Sequence, residues 1–541
     1  MNQLFYGDNL DVLRKHIPGE SVDLIYLDPP FNSQRAYNII FQDKKGKQPV
    51  SQIEAFEDTW RWTPQTMQAF DEVMANPGAS YPLKQMMTAF KAFMGPSDLM
   101  AYLTMMAIRL VELHRVLKKT GSLYLHCDPT ASHYLKILLD NVFGQQNYRN
   151  EINWKRTLGH HLSTRSFDRM TDTIFFYTKD EGYPFQTQYA SVTDKKILEK
   201  FPYVEPETGR KFTHEKLEKT SNAYSKGEVR IIQGRSVISN VGWIWTQDTF
   251  DERLMDNPNL IYWTGEGRPR YKRYADEYLG RQSSTLWDDI PPLSSNSSER
   301  LGYPTQKPLA LLDRIVHTSS NEGDLVLDPF CGCGTTVVAA ERLGRRWIGI
   351  DITYYAIGLV KKRLAEQCPG VEYVEDGIPK SYDDAVQLFR QSPFQFESWA
   401  VALVGGQPFK SKGGGDRGID GLLFFKDYEG EHHRIIIEVK GGGYHPKEVR
   451  ALKQVMDREK APIGILIALQ EPTKGMVAEA AALGYWKLPG GQAEYPILQI
   501  FTIQDYFDGK RPHLPDTSGT LKEAKRVIRE REKHPTLPGL E

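Results

Sequence analysis

The run Val22-Asp23-Leu24-Ile25-Tyr26-Leu27 ends abruptly in Asp28-Pro29-Pro30-Phe31, and no other stretch constrains the fold as tightly. The run reads as a buried strand, and two consecutive prolines cannot extend its hydrogen-bond ladder. The strand stops by delivering a carboxylate, a rigid backbone and an aromatic ring to one point. A carboxylate and a backbone carbonyl can accept both hydrogens of an exocyclic amine while a ring stacks on the base that carries it. The same four residues also suit a plain strand-ending turn, so this motif alone leaves two readings open.

A second strand end lies some 300 positions further on. Asp324-Leu325-Val326-Leu327-Asp328 reads as a strand, and Pro329-Phe330-Cys331-Gly332-Cys333-Gly334-Thr335-Thr336 then opens a helix through Leu343. Glycines let the backbone approach a ligand closely, and a helix start offers free N–H groups to a carboxylate. Asp351 ends the next strand, where it can accept hydrogen bonds from a ribose. A dinucleotide fingerprint needs a third glycine where this chain has Val337. A tight turn explains the glycines but not the carboxylates at both flanking strand ends.

The chain of 541 residues exceeds one compact core, so two to four domains are expected. Residues 20–180 alternate strand and helix, including an apolar stripe Leu99, Leu103, Met106, Leu110, Leu113, Leu117 with Gly121 as the expected helix cap. This pattern predicts an α/β fold with a doubly wound, mostly parallel sheet. The segment 185–295 is rich in Tyr, Trp, Lys and Arg, and the α/β pattern resumes after it. A new unit begins near 390 and runs to about 510, and 511–541 is a polar tail. A net charge of −1 gives no global signature of nucleic-acid binding, which must rest on local patches. Four cysteines (127, 331, 333, 368) suggest a reducing cytoplasm rather than a disulfide scaffold. No membrane span or signal peptide is expected.

Asp328 to Thr336 resembles the S-adenosylmethionine loop D-P-F-x-G-x-G-T-T of the DNA amino-methyltransferases, which act on adenine N6 or cytosine N4. Tyr303-Pro304-Thr305-Gln306-Lys307-Pro308 resembles the T-Q-K-P element of that family, and Gly7-Asp8-Asn9 its contact to the cofactor adenine. Gly121–Asp128, Phe143-Gly144 and Glu151–Arg156 are similar to further family blocks. With D-P-P-F first and the cofactor loop later, the order is that of the β-class enzymes. The resemblance implies a Rossmann-like methyltransferase over residues 1–385, with a target recognition region at about 185–295. It implies catalysis by Asp28, Pro29, Pro30 and Phe31, and cofactor binding by Asp8, Asn9, Lys307, Asp328, Phe330, Gly332, Gly334, Thr335, Thr336 and Asp351. Aspartate in D-P-P favours adenine over cytosine. Double-stranded DNA is the implied partner, with Arg268, Arg270, Lys272 and Arg273 as the best phosphate patch; the sequence does not decide between monomer and homodimer.

Near the C-terminus, Gly413–Gly421 contains Asp420, and Arg434–Lys440 contains Glu438 and Lys440. Strand alternation puts Glu438 and Lys440 on one face, and Asp420 joins them if its strand is an antiparallel neighbour. Two carboxylates can hold a divalent ion, and a lysine can orient the attacking water. The arrangement resembles the D…E-x-K site of the restriction-endonuclease superfamily, most closely its Mrr-like branch, although many relatives there carry glutamine in place of Glu438. It implies a restriction-endonuclease-like domain over 390–510, with Asp420, Glu438 and Lys440 catalytic and Mg2+ bound by Asp420 and Glu438. A domain that grips DNA without cleaving it is the alternative. No G-x-x-x-x-G-K-[ST] loop is present, so an ATP-driven motor is not expected.

Overall fold

The computed structural model describes residues 1–30, 36–39, 53–57, 62–157, 167–190, 199–220, 227–278, 280–294, 297–301, 303, 305–409 and 418–517. They divide into two compact units, one of residues 1–186 with 285–541 and one of 187–284.

The larger unit is built on a sheet of nine strands: β1 (Asn2–Tyr6), β2 (Val22–Leu27), β3 (Leu117–Cys127), β4 (Tyr148–Lys155), β5 (Thr171–Thr178), β6 (Leu286–Trp287), β7 (Leu325–Asp328), β8 (Arg346–Asp351) and β9 (Tyr373–Asp376). Their order is β6-β4-β5-β3-β2-β7-β8-β1-β9. Every pairing is parallel except the two that β5 makes with β3 and β4. The winding reverses between β2 and β7: from β2 the chain leaves toward β3, and from β7 toward β8. The connections leave their C-terminal ends in opposite directions there, which makes the crevice in which doubly wound sheets bind ligands.

Alternation along β2 explains why both faces are covered. Leu24 and Tyr26 enter a core with α3 (Leu309–Ser319), α4 (Thr335–Arg342) and α5 (Tyr354–Gln367). Ile25 and Leu27 enter the opposite core with α2 (Asp98–Val116) and the helix Ser132–Phe143, and Val22 joins them because the register of β2 shifts between Val22 and Leu24. The expected cap at Gly121 is corrected. Helix α2 ends at Val116, because Leu117 already pairs with Val22 in the sheet, and Gly121 lies inside β3.

The C-terminal domain carries its own sheet, β10 (Gln407–Pro408), β11 (Gly421–Lys426), β12 (His432–Lys440), β13 (Ile463–Ala468) and β14 (Leu498–Thr502), in that order. Helix α6 (Pro393–Leu403) joins it to the first sheet through a continuous core containing Phe396, Trp399 and Ala400. The Tyr6 hydroxyl donates to the Gln395 carbonyl at 2.7 Å.

The smaller unit is a four-stranded antiparallel sheet of Ile261–Trp263, Pro269–Tyr274, Lys211–Lys216 and Tyr203–Val204, with a hairpin of Glu228–Ile232 and Arg235–Ser239. Trp243 and Phe250 belong to its core. Among the described residues no helix is long and apolar enough to cross a membrane.

Candidate active site

The parallel strands β1, β2, β7 and β8 release their C-terminal residues at one edge, where a cavity of about 240 Å³ opens. Asp28, Pro29 and Pro30 line it just after β2, Asp328 at the end of β7, Phe330 and Gly332 from the loop that follows, and Thr335 and Thr336 from the first turn of α4 (Thr335–Arg342). Asp8, Asn9, Lys307 and Asp351 complete the expected set around it. Phe31 lies outside the described residues. Gly334 does not line the cavity: it is the left-handed N-cap of α4 (φ +76°), and a Cβ there would lie 2.9 Å from Val360 Cγ2. The glycine there serves a turn and a close helix approach.

Lys307 closes the site around Asp28. Its Nζ lies 2.5 Å from Asp28 Oδ2, and the two side chains are 10% and 16% exposed. The T-Q-K-P segment is thereby tied to the D-P-P segment across 279 positions. The two other strand-end acids are more deeply placed. Burial pushes Asp328 up to about 7, against hydrogen bonds from Thr336 and the Phe330 N–H. Burial likewise pushes Asp351 up to about 6, against hydrogen bonds from Thr353 and the Gly332 N–H. Asp351 Oδ2 accepts from Gly332 N at 2.9 Å and Oδ1 accepts from Thr353 N and Oγ1 at 2.8 and 2.7 Å. It braces the glycine loop and retains lone pairs for a hydroxyl.

At the other end, Asp8 caps helix α1 (Asn9–His16) by accepting from Leu10 N at 2.8 Å. Arg109 of α2, only 4% exposed, reaches Asp8 with Nη2 at 3.0 and 3.1 Å and Asn9 Oδ1 with Nε at 2.6 Å. Asn9 Nδ2 in turn donates to the Pro329 carbonyl at 2.8 Å, locking the N-terminal segment onto the cofactor loop. Sequence reasoning missed Arg109, whose signal is a lone charge inside an otherwise apolar helix. It also missed Arg363, fully buried, whose Nη1 donates to Thr335 Oγ1 at 2.9 Å; Tyr303, quoted with the T-Q-K-P segment but given no role of its own, packs its ring over Gly332 and lines the cavity.

These residues fit S-adenosylmethionine. Gly332 (φ +49°) leaves a cradle that a Cβ would fill, 3.1 Å from the Tyr303 ring, and acids at the ends of β1, β2, β7 and β8 surround it. The cofactor carries an amino group, a sulfonium and ribose hydroxyls, all of which an acidic, partly buried pocket can receive.

In the C-terminal domain, Asp420 immediately precedes β11, which pairs antiparallel with β12, and Gly421 stands opposite Ile437. Asp420 and Glu438 are therefore neighbours, both 6% exposed, and Lys440 Nζ lies 2.8 Å from Glu438 Oε1. Asp420 Oδ2 accepts from Val439 N at 2.6 Å. Residues Gly413 to Arg417 lie outside the described residues. Among the described residues there is no group of three or more His, Cys, Asp or Glu side chains poised for a metal.

The expected patch of Arg268, Arg270, Lys272 and Arg273 does not exist as one surface. Alternation on the strand Pro269–Tyr274 sends Arg270 and Lys272 to one face and Arg273 to the other. Lys272 is 9% exposed and bound to Glu205 at 2.6 Å, Arg273 pairs with Glu215 at 2.6 Å, and Arg268 with Glu218 at 3.3 Å. A different aromatic feature emerges on this sheet. Tyr262 stacks on His214 at 4.5 Å, and Tyr203 lies against the same ring at 4.9 Å.

Residues 22–362 match the family model described as DNA methylase, and the chain belongs to this N6/N4 DNA methyltransferase family. Residues 393–508 match the model described as NACHT-associated inactive Restriction Endonuclease 1. The chain is 25% identical over 399 residues to the type II methyltransferase M.EcaI of Enterobacter cloacae, covering 73% of this chain and 77% of that protein. It is 25% identical to the StyLTI Mod subunit, a type III restriction-modification enzyme of Salmonella typhimurium, over 63% of this chain and 50% of that protein. It is 34% identical to the type II methyltransferase M2.DpnII of Streptococcus pneumoniae, over 26% of this chain and 56% of that protein. The chain thus spans about half the length of the last two.

Proposed function

We propose that this chain methylates the exocyclic N6 amine of adenine in double-stranded DNA, as part of a restriction-modification or phage-defence system. The observation that carries this reading is the shared cavity: Asp28, Pro29 and Pro30 open into the space bounded by Asp328, Gly332 and Asp351. S-adenosylmethionine bound there supplies an electrophilic methyl group. An aromatic amine is a poor nucleophile because its lone pair is delocalised into the ring. Asp28 and the Pro29 carbonyl each accept one of its hydrogens, which localises that pair on nitrogen. Lys307 fixes the Asp28 carboxylate so that little reorganisation remains when the base arrives. An aspartate in this position supports adenine, and the restriction-modification relatives support the biological setting.

Transfer of tritiated methyl groups to DNA tests the activity, and Asp28→Ala abolishes it. Mapping of methylated bases in cells expressing the protein tests the choice of base. N4-methylcytosine at the mapped sites would overturn the adenine assignment.

A second reading concerns the C-terminal domain, where Asp420, Glu438 and Lys440 converge. Two adjacent carboxylates fit a divalent ion such as Mg2+, which would supply a Lewis acid for phosphodiester hydrolysis, with Lys440 balancing phosphate charge. The matched family is named for inactive members, so the assay is plasmid nicking with Mg2+. Cleavage that Asp420→Ala abolishes supports an endonuclease; intact plasmid, or nicking that the variant leaves unchanged, refutes this centre.

A further inference from the structure

Beneath Asp28 runs a buried polar chain that the reaction described above does not use. Tyr26 stands two residues before Asp28 on β2 and lines the same cavity. Its hydroxyl lies 2.9 Å from Nδ1 of His126 on β3, and His126 Nε2 lies 3.2 Å from Oδ2 of Asp172 on β5. Arg156 Nε stands 3.2 Å from Asp172 Oδ1. Tyr26, His126 and Asp172 are each 2% exposed or less, and the edge of Trp154 closes over the imidazole. Three polar side chains thus lead from the cavity into the middle of a sheet where water has no place.

The direction of the hydrogens follows from the partners. Burial tends to raise Asp172, but the hydrogen bond from His126, with the charges of Arg156 and Lys307, holds it below the usual carboxylate range. An ionised carboxylate only accepts, so His126 Nε2 carries a hydrogen toward Asp172, and in that tautomer Nδ1 accepts the Tyr26 O–H. Both remaining lone pairs of the Tyr26 oxygen are then left for the cavity. Asp28 is differently placed, because Lys307 already occupies its Oδ2.

We infer that Tyr26 is a further catalytic residue, a hydrogen-bond and proton acceptor for the target amine, and that His126 and Asp172 are its positioning residues. The inference rests on the methyltransferase reading. As the amine lone pair forms the new N–C bond and the C–S bond breaks with its pair going to sulfur, positive charge develops on nitrogen. Asp28 and the Pro29 carbonyl already take one amine hydrogen each, so Tyr26 acts as a second acceptor on the hydrogen that Asp28 holds, and its lone pair there stabilises the charge. The N–H bond then breaks with its electrons remaining on nitrogen. The proton passes to Tyr26 Oη as the phenol's own proton passes to His126 Nδ1, and Asp172 balances the resulting imidazolium.

The test is single-turnover methyl transfer to DNA by the full chain at saturating S-adenosylmethionine, with cofactor and DNA affinities measured separately. Tyr26→Phe keeps the ring and removes only the hydroxyl. We expect its rate to fall by roughly tenfold or more, with both affinities within about twofold of wild type. His126→Gln behaves alike, and the double variant is no slower than the slower single one, because the groups act as a unit. Should His126→Gln fail to fold, Asp172→Asn, which preserves shape, takes its place in the same cycle. A Tyr26→Phe rate within about twofold of wild type overturns the inference, as does a double variant whose losses multiply. A wild-type chain that methylates no DNA refutes the parent reading instead.

Discussion

Replacing Lys307 by Met tests whether the T-Q-K-P lysine is part of the catalytic constellation or a bystander. Methionine fills nearly the same volume, so packing changes little and the lost element is the ammonium 2.5 Å from Asp28. Removing one partner of a buried ion pair commonly costs about 3–5 kcal/mol. Asp28 is 16% exposed and borders a cavity, so water can partly replace the lysine, and we expect about 2 kcal/mol here. The catalytic loss should be larger in relative terms. A carboxylate released from its partner leaves its position by about 1 Å, which costs on the order of 100-fold in rate. Urea unfolding and single-turnover methylation read the two effects separately. Adding Asp28→Asn to Lys307→Met neutralises the stranded charge, so the double variant should recover most of the lost stability while remaining inactive. A Lys307→Met protein with an unchanged urea midpoint and a rate within about twofold of wild type refutes the reasoning.

Further outcomes follow from the same geometry. Arg109→Leu leaves the buried Asn9 side chain without its guanidinium partner, and should weaken S-adenosylmethionine binding about tenfold, read by calorimetry. Gly334→Ala forces a Cβ to within 2.9 Å of Val360 at φ +76° and should destabilise by about 2–3 kcal/mol, whereas Gly332→Ala should mainly weaken cofactor binding. Asp328 is held at about 7, far above its value in the unfolded chain, so the unfolded state releases its proton first. Its contribution to stability is therefore present below about pH 4 and lost as pH rises towards 7, by an amount on the order of 4 kcal/mol. Asp328→Asn should flatten the wild-type pH dependence in that window, and identical pH profiles of the urea midpoint would contradict this.

Several features of the site were legible in local sequence because they are local in cause. Two prolines after an apolar run end a strand at Asp28 whatever surrounds it, and the glycine loop after Asp328 opens a helix by backbone chemistry alone. Alternation on β12 correctly put Glu438 and Lys440 on one face. The same rule, applied to Arg270, Lys272 and Arg273, would have divided a patch that adjacency in sequence had joined. The helix cap expected at Gly121 failed for the opposite reason: pairing of Leu117 with Val22 ended the helix before the local signal could act.

By itself the sequence determined which residues stand at strand ends and in what order, because hydrophobic period, proline and glycine act over a few residues. Only the tertiary structure decided which of those ends meet. The tertiary fold brings Asp28 and Lys307 to 2.5 Å, and the placement of β3 between β2 and β5 threads Tyr26 to His126 and Asp172. Such contacts depend on strand order and register, which are set by burying both faces of the sheet at once rather than by any single segment.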